Sequence, residues 1–250
     1  MRRIHLLTRK EDIIPRRLNT CTVVVIDSLL ATSTISLLLE EGSSFIIPAS
    51  SLNEAFELQE QFKDQDPFLT GERQGYDIDG FYRPDPLELM QLHVKNKPII
   101  LTTTNGTVAL NNCREAKKVY TSSIVNYQSI AAHINHTNSN DTLLIVCAGN
   151  HGRFSIEDFI TAGALIYCMN DYDERDQWEL SDGARTALML YERLSIEEVK
   201  QLFLDSETGK LLYHLGYDKS LDYVSSQPRI NNVPLFQNGV IRLITSSKAI

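Results

Sequence analysis

Ile99-Ile100-Leu101-Thr102-Thr103-Thr104-Asn105-Gly106-Thr107-Val108-Ala109-Leu110 passes from an apolar β-branched run, through hydroxyls, an amide and a glycine, into helical periodicity. A strand of this composition is buried on both faces, and the polar stretch marks its exit from the core. Glycine at 106 can turn the chain sharply and bring backbone close to a ligand. A helix that starts here presents unpaired N–H groups and a partial positive charge, which suits an anion. The plainer reading is that Asn105 or Thr104 caps the helix.

Outward from this stretch the same order of strand, polar turn and helix recurs. Val23–Ile26 leads to Asp27-Ser28 and a helix through Leu39. Phe45–Pro48 leads to Ser51-Leu52-Asn53-Glu54, a capping-box pattern, and a helix to about Phe62. The helix after the threonines is expected to run through roughly Ala116. Val119–Thr121 precedes a helix from about Asn126 to His136, and Leu143–Cys147 precedes Ala148–Gly152 and a helix from Ser155 to about Met169. Strands alternating with helices predict an α/β fold of three layers, α/β/α, with a mainly parallel or mixed sheet. Residues 1–250 read as one unit, with a hint of two similar intertwined halves and a boundary near 120–140. In such sheets ligands bind outside the carboxyl ends of the strands, so Asp27-Ser28, Thr102–Thr107 and Ala148–Gly152 are expected to share one edge. Residues 171–176 read as a charged, solvated loop, and the last third as helices including Gly183–Arg193 and Ile196–Phe203.

The 250 residues are 42% hydrophobic and 22% charged, ordinary for a globular protein with an ample core. A net charge of −8 argues against a nucleic-acid partner. It leaves room for a small phosphorylated substrate if a divalent cation reverses the local field. The four cysteines, Cys21, Cys113, Cys147 and Cys168, are far apart and are expected as free thiols. No signal peptide or membrane span is read, so a cytoplasmic protein is expected.

Several residues are of types that carry chemistry. Asp27, at the end of a strand too apolar for an edge, suits a Mg²⁺ ligand or a nucleophile as well as a turn-forming cap. Glu72 and Arg73 can divide roles between metal and anion, or lie on the surface. Arg153 and Asp158 open a helix, where Ser155 and Asp158 have capping-box spacing. The same spacing recurs at Ser51–Glu54 and Ser195–Glu198, where nothing suggests chemistry. His133 and His136 are expected to face solvent. No P-loop, G-x-G-x-x-G, H-E-x-x-H or G-x-S-x-G pattern is present.

Together, Val24-Val25-Ile26-Asp27 with Ala31-Thr32-Ser33, Gly71-Glu72-Arg73 with Ile78-Asp79-Gly80-Phe81, Thr102–Thr107, Cys147-Ala148-Gly149 and Phe154–Asp158 carry a resemblance to the 2-phosphosulfolactate phosphatase (ComB-like) family over nearly the whole chain. The resemblance implies a Mg²⁺-dependent phosphatase that hydrolyses 2-phospho-3-sulfolactate, or a related phosphorylated hydroxy acid, to the hydroxy acid and phosphate. On this basis Asp27, Glu72 and Asp158 are the candidate metal ligands and catalytic acids. Arg73, Thr103, Thr104, Asn105, Gly106, Thr107 and Arg153 are the candidate substrate-binding residues. The partner implied is a small anionic substrate, and a homodimer is admitted. Leu30 and Val108 stand where the family has arginine. That departure supports an alternative, a ComB-like protein with weakened catalysis that binds an anionic metabolite. A third reading, an aspartyl-phosphate enzyme built on Asp27, lacks the second acid of the D-x-D loop because Leu29 occupies its place.

Overall fold

The computed structural model describes residues 2–137, 141–170, 178–225 and 228–244; the expected charged loop at 171–176 lies outside them. In chain order the elements are β1 (Arg3–Leu7), β2 (Cys21–Ile26), α1 (Ala31–Glu40), β3 (Phe45–Ala49), α2 (Leu52–Gln61), β4 (Phe68–Arg73) and β5 (Tyr76–Asp77). There follow α3 (Pro86–Leu89), β6 (Pro98–Thr102), α4 (Gly106–Asn112), β7 (Lys118–Ser122), α5 (Tyr127–His136), β8 (Thr142–Cys147) and α6 (Ile156–Asn170). The chain continues with β9 (Glu179–Leu180), α7 (Asp182–Tyr191), α8 (Ile196–Asp205), α9 (Glu207–His214), α10 (Asp218–Val224), β10 (Pro234–Gln237) and β11 (Val240–Leu243).

The strands form one mixed, mostly parallel sheet in the order β5-β4-β6-β3-β11-β10-β7-β2-β8-β1-β9. This is the α/β class expected from the alternating pattern. Two parallel blocks, β4-β6-β3 and β7-β2-β8-β1-β9, are joined by the β10–β11 hairpin. The hairpin pairs antiparallel with β7 on one side and with β3 on the other, so the two blocks run in opposite directions. Asn238 (φ 53°) and Gly239 (φ 80°) make its turn. Asn-Gly between apolar runs is the sequence signature of such a hairpin.

Side-chain alternation along the central strands sets the layers. Val24 and Ile26 face a core shared with α5 and α6, while Val23 and Val25 face a second core with Ile35, Leu38, Ala109 and Leu110 from α1 and α4. Ile46 and Leu101 enter that second core from the opposite block, and Ile47 and Ile100 face a third with Ala55 of α2. Helices α1 and α4 touch both blocks, so each block is the middle of an α/β/α stack and the inner helical layer is common.

This arrangement decides where the polar strand ends meet. On a flat sheet the tips of β2 and β6, five strands apart, would be separated by roughly 24 Å and point to opposite edges. Strand twist of about 20–25° per step accumulates to roughly 100° or more over that distance. The expected meeting of strand ends therefore occurs, but across a turned sheet and not along one straight edge.

Smaller departures have local causes. Helix α4 stops at Asn112, where Asn111-Asn112-Cys113 has poor helix propensity and Lys117 N–H is drawn to Cys21 carbonyl at 3.0 Å. His133 does not face solvent: it is half-buried with its ring edge-on to Tyr120 and Nε2 3.1 Å from that hydroxyl. Burial first, then the charges of Lys118 and His136, lower its pKa. His136 is exposed. All four cysteines are thiols outside any disulfide, as expected. Among the described residues no helix is long and apolar enough to cross a membrane.

Candidate active site

Asp27 leaves β2 at the floor of a pocket where β2, β4, β6 and β8 deliver their loops. Its backbone is fixed by Thr32, whose hydroxyl accepts from Asp27 N–H (3.1 Å) and donates to Asp27 carbonyl (2.8 Å). The side chain is 7% exposed and accepts a hydrogen bond from Gly106 N–H at the start of α4. A Cβ at residue 106 would fall 2.5 Å from Ala31 Cβ and 2.6 Å from Asp27 Oδ2. Glycine is thus required by close approach, not by the positive φ that the sequence allowed for.

Burial, then repulsion from Glu72 and Glu157, raises the Asp27 carboxyl to a pKa of about 8, against a smaller opposing pull from Lys10 and the Gly106 amide. Asp158, 2% exposed, is raised well above the carboxylate range by burial, then by Asp27 and Glu157. Its two oxygens accept from Ser28 N–H (2.9 Å) and Gly149 N–H (3.1 Å), tying the loop after β2 to the loop after β8. Asp158 is therefore a clamp between loops and does not line the pocket.

Glu72, at the end of β4, does line it. Its Oε1 accepts from Thr104 N–H (2.6 Å), and its Oε2 from the Thr104 hydroxyl (2.9 Å) and Gly75 N–H (2.6 Å). The threonine cluster is internally committed. Thr103 and Thr107 bond reciprocally, each hydroxyl accepting the other's N–H at 3.1 Å. Thr103, Thr104 and Asn105 face the pocket, whereas Gly106 and Thr107 are buried behind it. Asn105 Oδ1 accepts from Lys10 Nζ (2.8 Å) and His151 N–H (3.4 Å). The two arginines stand apart. Arg73 is exposed on β4, and Arg153 is exposed with its guanidinium 3.1 Å from Glu207.

The structure adds residues that the motifs did not single out. Glu157, 3% exposed, adds a further acid beside Asp27 and Asp158. Its signal was available: α6 carries Ile, Phe, Ala, Gly, Leu and Met with almost no polar face, so acids in its first turn are pulled inside. Lys10 is 8% exposed and pairs with Glu11 at 2.9 Å. Within Thr8-Arg9-Lys10-Glu11-Asp12 it reads as a surface charge, and only the meeting of loops buries it. The other wall is apolar: Leu29, Leu30 and Ala31 from the β2 loop, Leu211 and Leu212 from α9, and Tyr217.

Among the described residues no three His, Cys, Asp or Glu side chains form a group that could hold a metal ion unaided. Magnesium characteristically keeps several waters and takes one or two carboxylates plus substrate phosphate. Asp27 and Glu72 offer such oxygen ligands at the pocket, and burial with the acids Glu72 and Glu157 nearby raises the proton affinity of Asp27, an excess of negative charge that a cation would offset. The donor set fits a hydrated divalent cation.

A twisted α/β sheet whose loops gather buried carboxylates and hydroxyls around one pocket forms the site, and the family and its relatives make the protein a phosphoric monoester hydrolase. Residues 7–239 match the family of 2-phosphosulpholactate phosphatases, and the chain belongs to that family. Relatives named as probable 2-phosphosulfolactate phosphatases include one from Clostridium perfringens (strain SM101 / Type A), 37% identical over 226 residues, 89% of each chain. One from Clostridium acetobutylicum is 34% identical over 240 residues, covering 96% of this chain and 99% of its own. One from Thermotoga petrophila is 35% identical over 225 residues, 89% of this chain and 92% of its own.

Proposed function

We propose that this protein is a Mg²⁺-dependent phosphatase that hydrolyses 2-phospho-3-sulfolactate or a related phosphorylated 2-hydroxy acid. One observation carries the reading: the buried Asp27 carboxyl stands in the pocket beside Glu72 and the threonine turn, with its proton affinity raised toward neutrality. Asp27 and Glu72 would hold the cation. When bound, magnesium supplies positive charge against the phosphoryl oxygens. With the cation bound and Asp27 ionised, the Asp27 carboxylate takes a proton from the attacking water, a role its place in the pocket beside Glu72 and the threonine turn allows. The water oxygen joins phosphorus, the ester P–O bond breaks, and the proton ends on the released hydroxyl. Thr104 and Gly75 fix Glu72, and Asp158 fixes the floor by joining Ser28 to Gly149.

A second reading, an anion-binding relative with weakened turnover, is favoured by the lack of any Lys or Arg among the described residues that line the pocket. Phosphate release from a panel of phosphorylated 2-hydroxy acids, with and without Mg²⁺, tests the choice. Metal-dependent turnover of at least one member is expected of the phosphatase. No turnover of any member leaves the binder.

A further inference from the structure

Among the described residues that line the pocket, His151 is the one side chain able to carry a positive charge, against the two acids Asp27 and Glu72. It is exposed on the rim, next to Asn150 and near Thr208 of α9. A tight turn presents it: Asn150 and Arg153 exchange N–H···O bonds at 2.9 Å, and His151 (φ 50°) and Gly152 (φ 77°) both take left-handed backbone. His151 N–H lies 3.4 Å from Asn105 Oδ1, while the following residue, Gly106, donates its N–H to Asp27. Two consecutive residues of one loop therefore hold the histidine and the buried carboxyl close together.

The imidazole itself has no partner among the described residues. Neighbouring guanidiniums are engaged: Arg9 makes two bonds to Asp12 (2.9 and 3.1 Å), and Arg153 lies 3.1 Å from Glu207. Arg73 makes no ion pair among the described residues, but it follows Glu72 on β4, where successive side chains leave by opposite faces, and it does not line the pocket.

2-Phospho-3-sulfolactate carries phosphate and carboxylate on one carbon and sulfonate on the next. Phosphate and carboxylate oxygens suit the hard cation that Asp27 and Glu72 fit. A sulfonate is a feeble base that stays charged at every physiological pH, so on leaving water it needs N–H or O–H donors from the protein. An imidazole donates from one ring nitrogen when neutral and from both when charged. Resting on the phosphatase reading above, we infer that His151 is the specificity-determining residue for the sulfonate, its ring N–H donating to the sulfonate oxygens with Asn150 and Thr208 at its side.

The test compares 2-phospho-3-sulfolactate with 2-phospholactate, which lacks the sulfonate, in the full chain with Mg²⁺. His151→Gly removes the ring and keeps a residue suited to φ 50°. The ratio of kcat/KM, sulfonated over plain substrate, is expected to fall about ten-fold or more in this variant, mainly through KM. Arg73→Gln, measured alongside, is expected to move that ratio less. A ratio that His151→Gly leaves unmoved, or a larger fall in Arg73→Gln, overturns the inference and leaves the phosphatase reading standing. No turnover of either compound by the parent protein overturns both.

Discussion

Two helices of this protein begin with the same local signal and end with different duties. Before α8, Ser195 accepts from Glu198 N–H (3.3 Å) while Glu198 accepts from Ser195 N–H (2.8 Å), a closed capping box on an exposed surface. Before α6, Ser155 accepts from Asp158 N–H (3.2 Å), but the Asp158 carboxyl turns away from its own cap to Ser28 and Gly149. A solvated acid satisfies the nearest donor; a buried acid is claimed by whatever unpaired donors the fold brings against it. The box is a property of four residues, whereas the clamp needs Ser28, 130 residues from Asp158 in sequence, to be brought against it.

Breaking the buried member should have the larger effect. Asp158→Ala leaves two buried amides without acceptors, so a loss of roughly 2–4 kcal/mol of stability is expected, readable in a denaturant titration, together with loss of phosphatase activity. Unchanged stability would show that the clamp is not needed. Next comes Asp27→Asn. It removes the reacting carboxyl, so kcat should fall by about a hundred-fold or more. Because the native group is held against its own charge, the melting temperature in cation-free buffer at pH 8 should stay level or rise. A marked fall would make Asp27 a structural residue.

The pH response sharpens the same contrast. Folded Asp27 keeps its proton up to about pH 8, whereas the unfolded chain releases it near the ordinary aspartate value of about 4. Between these limits the folded state binds more protons, so the cation-free protein should lose stability as pH rises through the window. Asp158 acts in the same direction. Added Mg²⁺ should restore stability, more at pH 8 than at pH 5, in a thermal melt followed across pH. The smallest effect belongs to the exposed box: Ser195→Ala should cost about 1 kcal/mol and leave kcat unchanged.

Much of the scaffold was legible because it rests on local periodicity. The strand Val23–Ile26 and the helix after Ser51 follow from alternation, capping and propensity within a dozen residues, and β2 and α2 fall where that reading puts them. Asp27, Glu72 and Asp158 stood out as acids at strand and helix ends. Their division of labour was not readable, because one of the two amides that occupy Asp158, that of Ser28, comes from 130 residues away. Lys10 was silent because it resembles a surface charge, and of the leucine wall only Leu30 stood out, as the place of a family arginine, while Leu211 and Leu212 read as ordinary helix residues.

The amino-acid sequence by itself determined the alternation of strands and helices and supplied an acid at the end of β2, since these depend on side-chain periodicity and backbone chemistry along a short span. Tertiary structure alone decided that β2 and β6 meet, that Asp158 clamps while Asp27 faces the pocket, and that leucines form its second wall. Sheet twist and burial act between residues far apart in the chain, and only their sum sets which groups share one small volume.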